Sequence, residues 1–520
     1  MIEAYAVADV RAVEDLARAD LPEGELMQRA SRGLAEVVLA RLADAGHRRT
    51  GEPRVVVLAG RGDNGGDALW AAAHLAHSEV AVGVVTLGRP AAGDGDDADT
   101  ARAAALEAGA VVLDGDDRAA GEQATALLAE ADLVVDGLLG IGGRPGLRDD
   151  ARRLVDAVPD DAWVLAVDLP SGADPAGESL PDDLAAQVIA DETVTFSLVK
   201  PVHLLPATEA AVGRLTVVDI GLEDDGAGEG GALQRSGARP VVERLTYDDV
   251  RGLWPVPDAH SDKYSRGVVG VVAGSVQYPG AAVLSVLGAL GAGPGMIRYL
   301  GPSDVQWLVH QRAPEVVTAA GRVQAWVIGS GFDLGSGESV GADALAQRER
   351  AHEALASDLP VLVDAGALEL VDRLSGRDAP TLLTPHAGEL ARLLSTLRGE
   401  DVDRRAVEAA PLAHARDAAR RTGATVLLKG STTLVVDPDD GVPVRAQRDA
   451  PAWVATAGAG DVLGGLCGTL LAAGLAPRDA GSLGALVHGV AADRASAGGP
   501  LRILDLAAEV GPAVRSLLSR

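Results

Sequence analysis

Short apolar runs alternate along this chain with segments whose apolar positions recur every third or fourth residue, the signature of strands interleaved with amphipathic helices. Val10, Val13 and Ala17 stand at helical spacing, and a second helix is predicted over 24–42. Strand-like runs follow at 55–60 (VVVLAG), 80–87 (VAVGVVTL), 132–140 (DLVVDGLLG), 163–172 (WVLAVDLPSG) and 215–222 (LTVVDIGL). Runs this continuously apolar, separated by helical patterns, predict a mostly parallel sheet covered on both faces by helices.

Between 223 and 240 the sequence EDDGAGEGGALQRSGARP loses periodicity and fills with glycine and acids, as a flexible connector does. The rhythm resumes at 267–275 (GVVGVVAGS), 325–331 (AWVIGSG), 359–366 (LPVLVDAG), 381–390 (TLLTPHAGEL) and 424–436 (ATVLLKGSTTLVV), and ends in a helix-rich stretch. No repeat relates the halves, so two different domains are expected, 1–222 and 241–520, joined by 223–240. Residues 267–297 carry no charge and are long enough to span a bilayer. Gly274, Ser275, Gln277, Pro279 and Gly280 divide them into a strand, a loop and a helix of a soluble core, so no membrane partner is expected.

A length of 520 residues calls for two or more cores, and 47% hydrophobic against 23% charged residues places the chain among ordinary globular proteins. The single cysteine, Cys467, excludes an intrachain disulfide and any cysteine-built metal site. The first residues lack a basic start followed by an apolar core, so a cytoplasmic location is expected. With 46 basic and 75 acidic residues the net charge is −29, which argues against nucleic-acid binding and requires any phosphate-bearing ligand to be held locally. High-salt adaptation and an arginine-preferring composition account for the acidity equally well. Only three lysines occur, Lys200, Lys263 and Lys429, and each lies in a motif considered below.

In the first half the run VVVLAG leads into RGDNGGDA at 61–68 and then a helical pattern. Glycines there let backbone amides crowd an anion at a helix N-terminus, although no GxGxxG is present and Asn64 and Asp67 bring side-chain oxygens into the loop. Two more loops end strands of the same sheet, DGLLGIGGRPG at 136–146 and DLPSG at 168–172. The carboxyl ends of strands in an open α/β sheet converge on one crevice, where Asn64, Asp67, Asp136, Asp168 and Ser171 would meet and offer oxygen ligands to a hard cation. Taken singly, each aspartate also suits a helix cap or a turn.

These residues resemble the N-terminal domain of NAD(P)H-hydrate epimerases, over nearly all of 1–222. The likeness rests on LMQRAS, the Asn-Gly-Gly-Asp loop, the Asp-x-Leu-Leu-Gly loop and Asp-Leu-Pro-Ser-Gly. It implies a Rossmann-like three-layer sandwich that holds a hydrated nicotinamide nucleotide and a potassium ion. Asn64, Asp136 and Ser171 are then the metal ligands. Asp63, Asn64, Gly65, Gly66 and Asp67, with Gly140, Ile141, Gly142, Gly143, Arg144, Pro145, Gly146 and Asp168, face the substrate. The hydrated ring carries a hydroxyl on the carbon beside its nitrogen, and exchanging R and S forms requires that carbon to become planar. A carboxylate nearby can shuttle the proton and stabilise a cation; Asp168 is the candidate, Asp67 the second. Ala68 stands where the family usually has glycine, either crowding the ligand's phosphate or lying harmlessly in the helix. Lys200, in TFSLVKP, matches a lysine the family tends to carry before proline, or is a solvated strand-end lysine.

In the second half ATAGAGDVLGGLCGTLLAAGL at 455–475 is a glycine-rich turn opening a long apolar helix. The amides of Ala457 to Gly460 would converge on a phosphoryl group while Asp461 accepts the proton of the attacked hydroxyl. Residues 241–520 resemble the ribokinase-like superfamily and, more narrowly, ADP-dependent NAD(P)H-hydrate dehydratases, through HSDKYSRGVVGVVAGSVQYPGAAVL at 260–284, VIGSGF at 327–332, TPHAGEL at 384–390 and LLKGSTT at 427–433. The resemblance places Ala281, Gly331, His386 and Asp461 on the hydrate and Lys429, Gly430, Ser431, Thr432, Thr433 and Gly460 on the adenine nucleotide. It departs from the family at VDAGAL, which lacks a second acid, and at PAWVATAG, which replaces an Asn-Pro-Gly-Met lead.

The expectation is thus a two-domain α/β enzyme, Rossmann-like then ribokinase-like. It would epimerise NADHX and NADPHX with K+ and then dehydrate the S form with ADP and Mg2+, releasing AMP and phosphate, as a homo-oligomer. Two other readings stand beside it: an ATP-dependent vitamin or sugar kinase, and a first half that is a noncatalytic module for RNA or protein.

Overall fold

The computed structural model describes all residues except 45–53, 89–94, 117, 224–230, 333–341, 375 and 520. The chain divides into two compact units, residues 3–241 and residues 242–520, with residues 1–2 counted in the second.

The first unit is built on a seven-stranded, wholly parallel sheet in the order Val111–Asp114, Ala81–Thr86, Arg54–Ala59, Leu133–Gly137, Trp163–Val167, Glu192–Phe196, Arg214–Val218. Successive residues of a strand point to opposite faces. Accordingly Val55, Val57 and Ala59 join Val10, Leu34 and Leu75 in one apolar cluster, while Val56 and Leu58 join Leu128 and Leu154 in another. Both faces are dry, which is why these strands read as unbroken apolar runs. The chain reverses its direction of travel across the sheet between Arg54–Ala59 and Leu133–Gly137, and the crevice beyond their carboxyl ends is the place such a sheet offers a ligand. Gly60 lies there, and a Cβ on it would stand 1.9 Å from the Leu138 carbonyl oxygen, so only glycine lets the two loops meet.

The second unit has strands Val242-containing Pro240–Arg244, then Val444–Gln447, Thr433–Val436, Thr425–Leu428, Thr381–Leu383, Val361–Val363, Ala325–Ile328, Val268–Val272 and Met296–Tyr299 side by side. The run at 424–436 folds as an antiparallel hairpin, with Val426 opposite Val436, so this sheet is mixed where an all-parallel reading would have made one strand. Its switch point lies between Val268–Val272 and Ala325–Ile328. The helix Ala459–Ala472 packs against the sheet and against the helix Pro279–Gly291. A Cβ at Gly465 would stand 1.9 Å from the Ser285 carbonyl and one at Gly468 2.0 Å from Val327, so the small residues of this helix set how closely it approaches.

Of the connector expected at 223–240, residues 224–230 lie outside the described residues. The remainder carries a short helix, Ala232–Ser236, and Pro240 begins a strand. Among the described residues no helix is long and apolar enough to cross a membrane; the uncharged stretch after Arg266 is the strand Val268–Val272, a loop and the helix Pro279–Gly291.

Candidate active sites

In the first unit a cavity of about 440 Å3 opens at the switch point. Asp63, Asn64, Asp67, Ile141 and Asp168 line it, together with Glu14 and Arg18, which no sequence motif singles out, and Met27, Phe196 and Ile220, which lie in LMQRAS, TFSLVKP and LTVVDIGL without an assigned role. Glu14 and Arg18 come from the leading helix Val7–Asp20, whose charges read as an ordinary solvated face until folding brings them to the crevice.

The helix Asp63–His77 starts directly after Gly62, which places Asn64 and Asp67 one turn apart at its N-terminus. The Asn64 amide donates to the carbonyls of Val167 at 2.5 Å and Leu139 at 3.3 Å, stitching the other two loops to the first. Gly65 and Gly66 are packing positions and do not line the cavity: added methyls would meet the Gly60 carbonyl at 2.0 Å and Met27 at 2.9 Å. Gly140 lies against the Asn64 side chain, whose oxygen would be 2.6 Å from a Cβ there. Gly142, Gly143, Arg144, Pro145 and Gly146 do not line the cavity either. The Ala68 methyl is fully buried and faces Gly137, so it does not intrude on the cavity.

Asp136, 1% exposed, accepts from the Ser171 amide at 2.8 Å, the Ser171 hydroxyl at 2.6 Å and the Leu138 amide at 3.3 Å. The Ser171 oxygen in turn accepts from the Leu139 amide at 2.8 Å. Burial raises the Asp136 carboxyl above the ordinary range, with these hydrogen bonds working the other way. Among the described residues no cationic side chain pairs with it. Asn64, Asp136 and Ser171 therefore gather around Leu138–Leu139 as an all-oxygen set with a buried, uncompensated carboxylate, a donor set that fits a potassium ion.

Asp168 has a left-handed backbone, φ 67°, rare for a residue with a side chain but tolerated by Asp and Asn. Lys200 resolves the alternative left by the sequence: it is 1% exposed, and its ammonium donates to Asp168 Oδ1 at 2.6 Å, Thr195 Oγ1 at 3.0 Å and the Leu198 carbonyl at 3.1 Å. Thr195 also donates to Oδ1 at 2.9 Å. Burial, followed by the Lys200 charge, lowers His203 to about 4. Its Nδ1 accepts from the Lys200 amide at 3.1 Å, so Nε2 carries the hydrogen and donates to the Asp168 carbonyl at 2.6 Å. Asp67 is driven the other way: burial, then the charges of Asp63, Asp168 and Glu14, hold its carboxyl well above the ordinary range. Asp67 and the lysine-paired Asp168 both line this cavity.

In the second unit Asp461 sits in the first turn of Ala459–Ala472, after Gly458 at φ 96°. The Ala459 amide turns back to the Thr456 carbonyl at 3.4 Å and so leaves the row of converging amides expected from Ala457 to Gly460. Lys429 ends the strand Thr425–Leu428 and pairs with Asp364 at 2.8 Å and Glu389 at 3.6 Å. Burial lowers the Lys429 ammonium, but Asp364, Glu389 and Asp461 more than offset it and the net shift is upward. Asp364, at the end of Val361–Val363, also accepts from Thr384 at 2.9 Å and Ser330 at 3.1 Å. Burial, then the Asp364 charge, pushes the Asp461 carboxyl up to about 7, against the pull of Lys429 and a Ser330 hydrogen bond.

His386 caps Ala387–Arg398: its Nδ1 accepts from the Gly388 and Glu389 amides at 3.0 and 3.2 Å. It bridges to Lys429 in register. A Cβ on Gly460 would lie 3.3 Å from the Lys429 ammonium, and one on Gly331 2.5 Å from the Ala281 methyl. Asp461, Gly460, Lys429 and His386 thus form one cluster and Ala281 with Gly331 a second, joined through Ser330. In the hairpin turn Gly430 and Ser431 are exposed, Thr433 is half-buried and Thr432 is buried. Asp364 and Ser330 escaped the sequence reading because VDAG and GSG resemble routine strand-end turns.

Residues 269–506 match the family described as NAD(P)H-hydrate dehydratase, and residues 23–202 the one described as YjeF-related protein N-terminus. The bifunctional NAD(P)H-hydrate repair enzyme Nnr of Mycobacterium leprae is 42% identical over 94% of this chain and 93% of its own length. The protein of the same name from Corynebacterium glutamicum is 33% identical over 90% of this chain and 87% of its own. A crystal structure of the ADP/ATP-dependent NAD(P)H-hydrate dehydratase of Bacillus subtilis, co-crystallised with ATP/Mg2+, aligns with 52% of this chain and 97% of its own, at 24% identity and a TM-score of 0.45. With relatives this similar along nearly its whole length, the chain belongs to the family of bifunctional NAD(P)H-hydrate repair enzymes.

Proposed function

We propose that residues 1–222 interconvert the R and S forms of NADHX and NADPHX, and that residues 241–520 dehydrate the S form with ADP, releasing AMP and phosphate. The observation that carries this reading is an aspartate beside a lysine ion pair in each unit: Asp168, buried and itself paired with Lys200 at the first switch point, and Asp461, half-buried at the start of its helix near the Lys429–Asp364 pair. A kinase fused to a noncatalytic module is not favoured, because it gives the Asp168–Lys200 pair nothing to do.

In the first crevice Lys200 and Thr195 occupy Asp168 Oδ1, which turns Oδ2 to the ring carbon as the atom that stabilises positive charge and takes a proton. Asp67, whose carboxyl is held well above the ordinary range by burial and then by its carboxylate neighbours, is placed to give a proton to the departing hydroxyl. Potassium held by Asn64, Asp136 and Ser171 would neutralise the buried Asp136 carboxylate. In the second crevice Asp461, near 7, takes the proton of the ring hydroxyl as its oxygen bonds to the β-phosphorus of ADP and AMP leaves. Phosphate is then expelled from the ring carbon while a proton leaves the neighbouring carbon, and the double bond returns. Lys429, exchanging carboxylate for phosphate, binds the nucleotide with Gly430, Ser431, Thr432, Thr433 and Gly460; Ala281, Gly331 and His386 face the hydrate. Magnesium bound to the nucleotide would screen its phosphate charges. A cytoplasmic location and homo-oligomeric assembly belong to the same reading by family likeness.

The test is to incubate the protein with mixed R and S hydrate, ADP and magnesium and follow absorbance of reduced nicotinamide. Full recovery is expected. Recovery of the S fraction alone, beyond spontaneous exchange, would remove the epimerase half of the reading, and no recovery would remove the dehydratase half.

A further inference from the structure

The cavity of the first unit is walled by carboxylates. Glu14, Glu23, Asp63, Asp67 and Asp168 line it, and among the described residues that do so Arg18 is the one cationic side chain. A hydrated nicotinamide dinucleotide brings a diphosphate to this wall, in a chain whose net charge of −29 repels it at long range. Phosphate is repelled by each of those carboxylates, so its binding turns on the single guanidinium. Arg18 stands on the helix Val7–Asp20 and is 47% exposed. Its Nη2 donates to Asp63 Oδ2 at 3.5 Å and to Glu14 Oε2 at 3.4 Å, and its Nη1 to Asp15 Oδ1 at 3.0 Å. Two of these contacts lie at the outer limit of a hydrogen bond, and exposed pairs of this kind contribute little, so trading a carboxylate for a phosphate costs little. A phosphate, in contrast, matches the planar fork of the guanidinium with two charge-assisted bonds. Asp63 opens the helix Asp63–His77, so the guanidinium reaches the turn that carries Asn64 and Asp67. Seven residues earlier on the same face of its helix, Arg11 turns to the loop 140–146, its Nη2 3.1 Å from where a Cβ on Gly142 would stand. One face of Val7–Asp20 therefore borders two of the loops that the epimerase reading gives to the substrate.

We propose that Arg18 is a phosphate-binding residue of the epimerase cavity: its guanidinium leaves Asp63 and Glu14 to clasp a phosphate of the hydrated dinucleotide, and so sets the affinity for substrate without touching the reacting carbon. The inference rests on the epimerase reading above. NADHX offers only its diphosphate to such a contact, and NADPHX a 2′-phosphate as well.

Arg18→Gln keeps a good helix former at an exposed position and removes the charge. With epimerisation followed by chromatography of the R and S forms, KM should rise about tenfold, the weight of one charge-assisted contact, while kcat stays unchanged. Arg18→Lys should recover part of the loss, as a point charge without the fork. Asp63→Asn frees the guanidinium and removes a competing carboxylate, so KM should fall; a role limited to tying the two helices together predicts that KM rises in both variants. An equal rise for NADHX and NADPHX in Arg18→Gln places the contact on the diphosphate, and a rise confined to NADPHX places it on the 2′-phosphate. An unchanged KM for both, or a rise in Asp63→Asn, overturns the proposal. The same contact is read without turnover by titrating NADP+ against the full-length protein and following hydrogen exchange in peptides over 61–70, which reports on the first cavity apart from the second unit. The midpoint of protection should rise about tenfold in Arg18→Gln. If it does so in a chain that never epimerises the hydrate, the phosphate contact stands and the epimerase reading falls. If epimerisation is robust and neither KM nor midpoint moves, the reverse holds, and an inactive chain that NADP+ leaves unprotected removes both.

Discussion

Replacing Lys200 by methionine tests the centre of the first crevice. The methionine matches the length of the lysine stem but removes an ammonium that is 1% exposed and makes three hydrogen bonds, to Asp168, Thr195 and Leu198. Breaking a buried ion pair from one side costs roughly 3–5 kcal/mol, because the remaining charge stays buried and unpaired. Asp168 keeps its bond from Thr195 and borders the cavity, so the lower end, about 3 kcal/mol, is expected. Asp168→Asn suits the left-handed backbone at that position, and the double variant Asp168→Asn with Lys200→Met leaves no charge behind. It should therefore be more stable than the sum of the singles predicts, by about 2 kcal/mol. Two compact units make a single unfolding curve ambiguous, so the measurement is hydrogen exchange by mass spectrometry over peptides spanning 192–203 in increasing urea. Epimerisation should be lost in Lys200→Met while consumption of S-hydrate continues. A stability loss under about 1 kcal/mol, or strict additivity of the variants, would refute the claim that the pair is buried and mutually dependent.

Asp461→Asn should lower dehydration of the S-hydrate by at least about 100-fold, as expected for loss of a general base, with the epimerase untouched; activity near that of the unaltered chain would remove Asp461 from its role. Because Asp461 must be ionised to accept a proton, and burial with Asp364 holds it near 7, kcat/KM for dehydration should rise with pH through about 7 and level above it. A profile flat from pH 5 to 8 would contradict this. Asp168→Asn should end consumption of the R-hydrate and spare that of the S-hydrate, read by chromatography of the two epimers. Gly140→Ala puts a methyl 2.6 Å from the Asn64 oxygen and should raise the potassium concentration needed for half-maximal epimerisation several-fold, whereas an unchanged requirement would separate Asn64 from the ion.

Much of this protein is decided by local pattern. The runs VVVLAG and GVVGVVAG are apolar without alternation because both faces of their strands are covered, and that alone implies parallel α/β sheets. Asn64, Asp136 and Asp168 stand at or just past the carboxyl ends of such strands and Asp461 in the first turn of a helix, so the candidate residues were legible from their place in the strand–turn–helix rhythm. What the pattern leaves open is the company each residue keeps. Lys200 reads equally as a solvated strand end or a site member, and only the crossing of the Lys200 turn with the Asp168 loop, residues far apart in sequence, buries it in an ion pair. The same holds for Asp364, whose turn is ordinary until Ser330, Thr384 and Lys429 arrive from three other strands. Charge state follows contact: Asp67 and Asp461 are ordinary acids in an extended chain, and become reluctant ones because folding removes water and brings like charges within reach. Local sequence sets which backbone shapes are available, whereas desolvation and electrostatics depend on neighbours that only the closed sheet assembles.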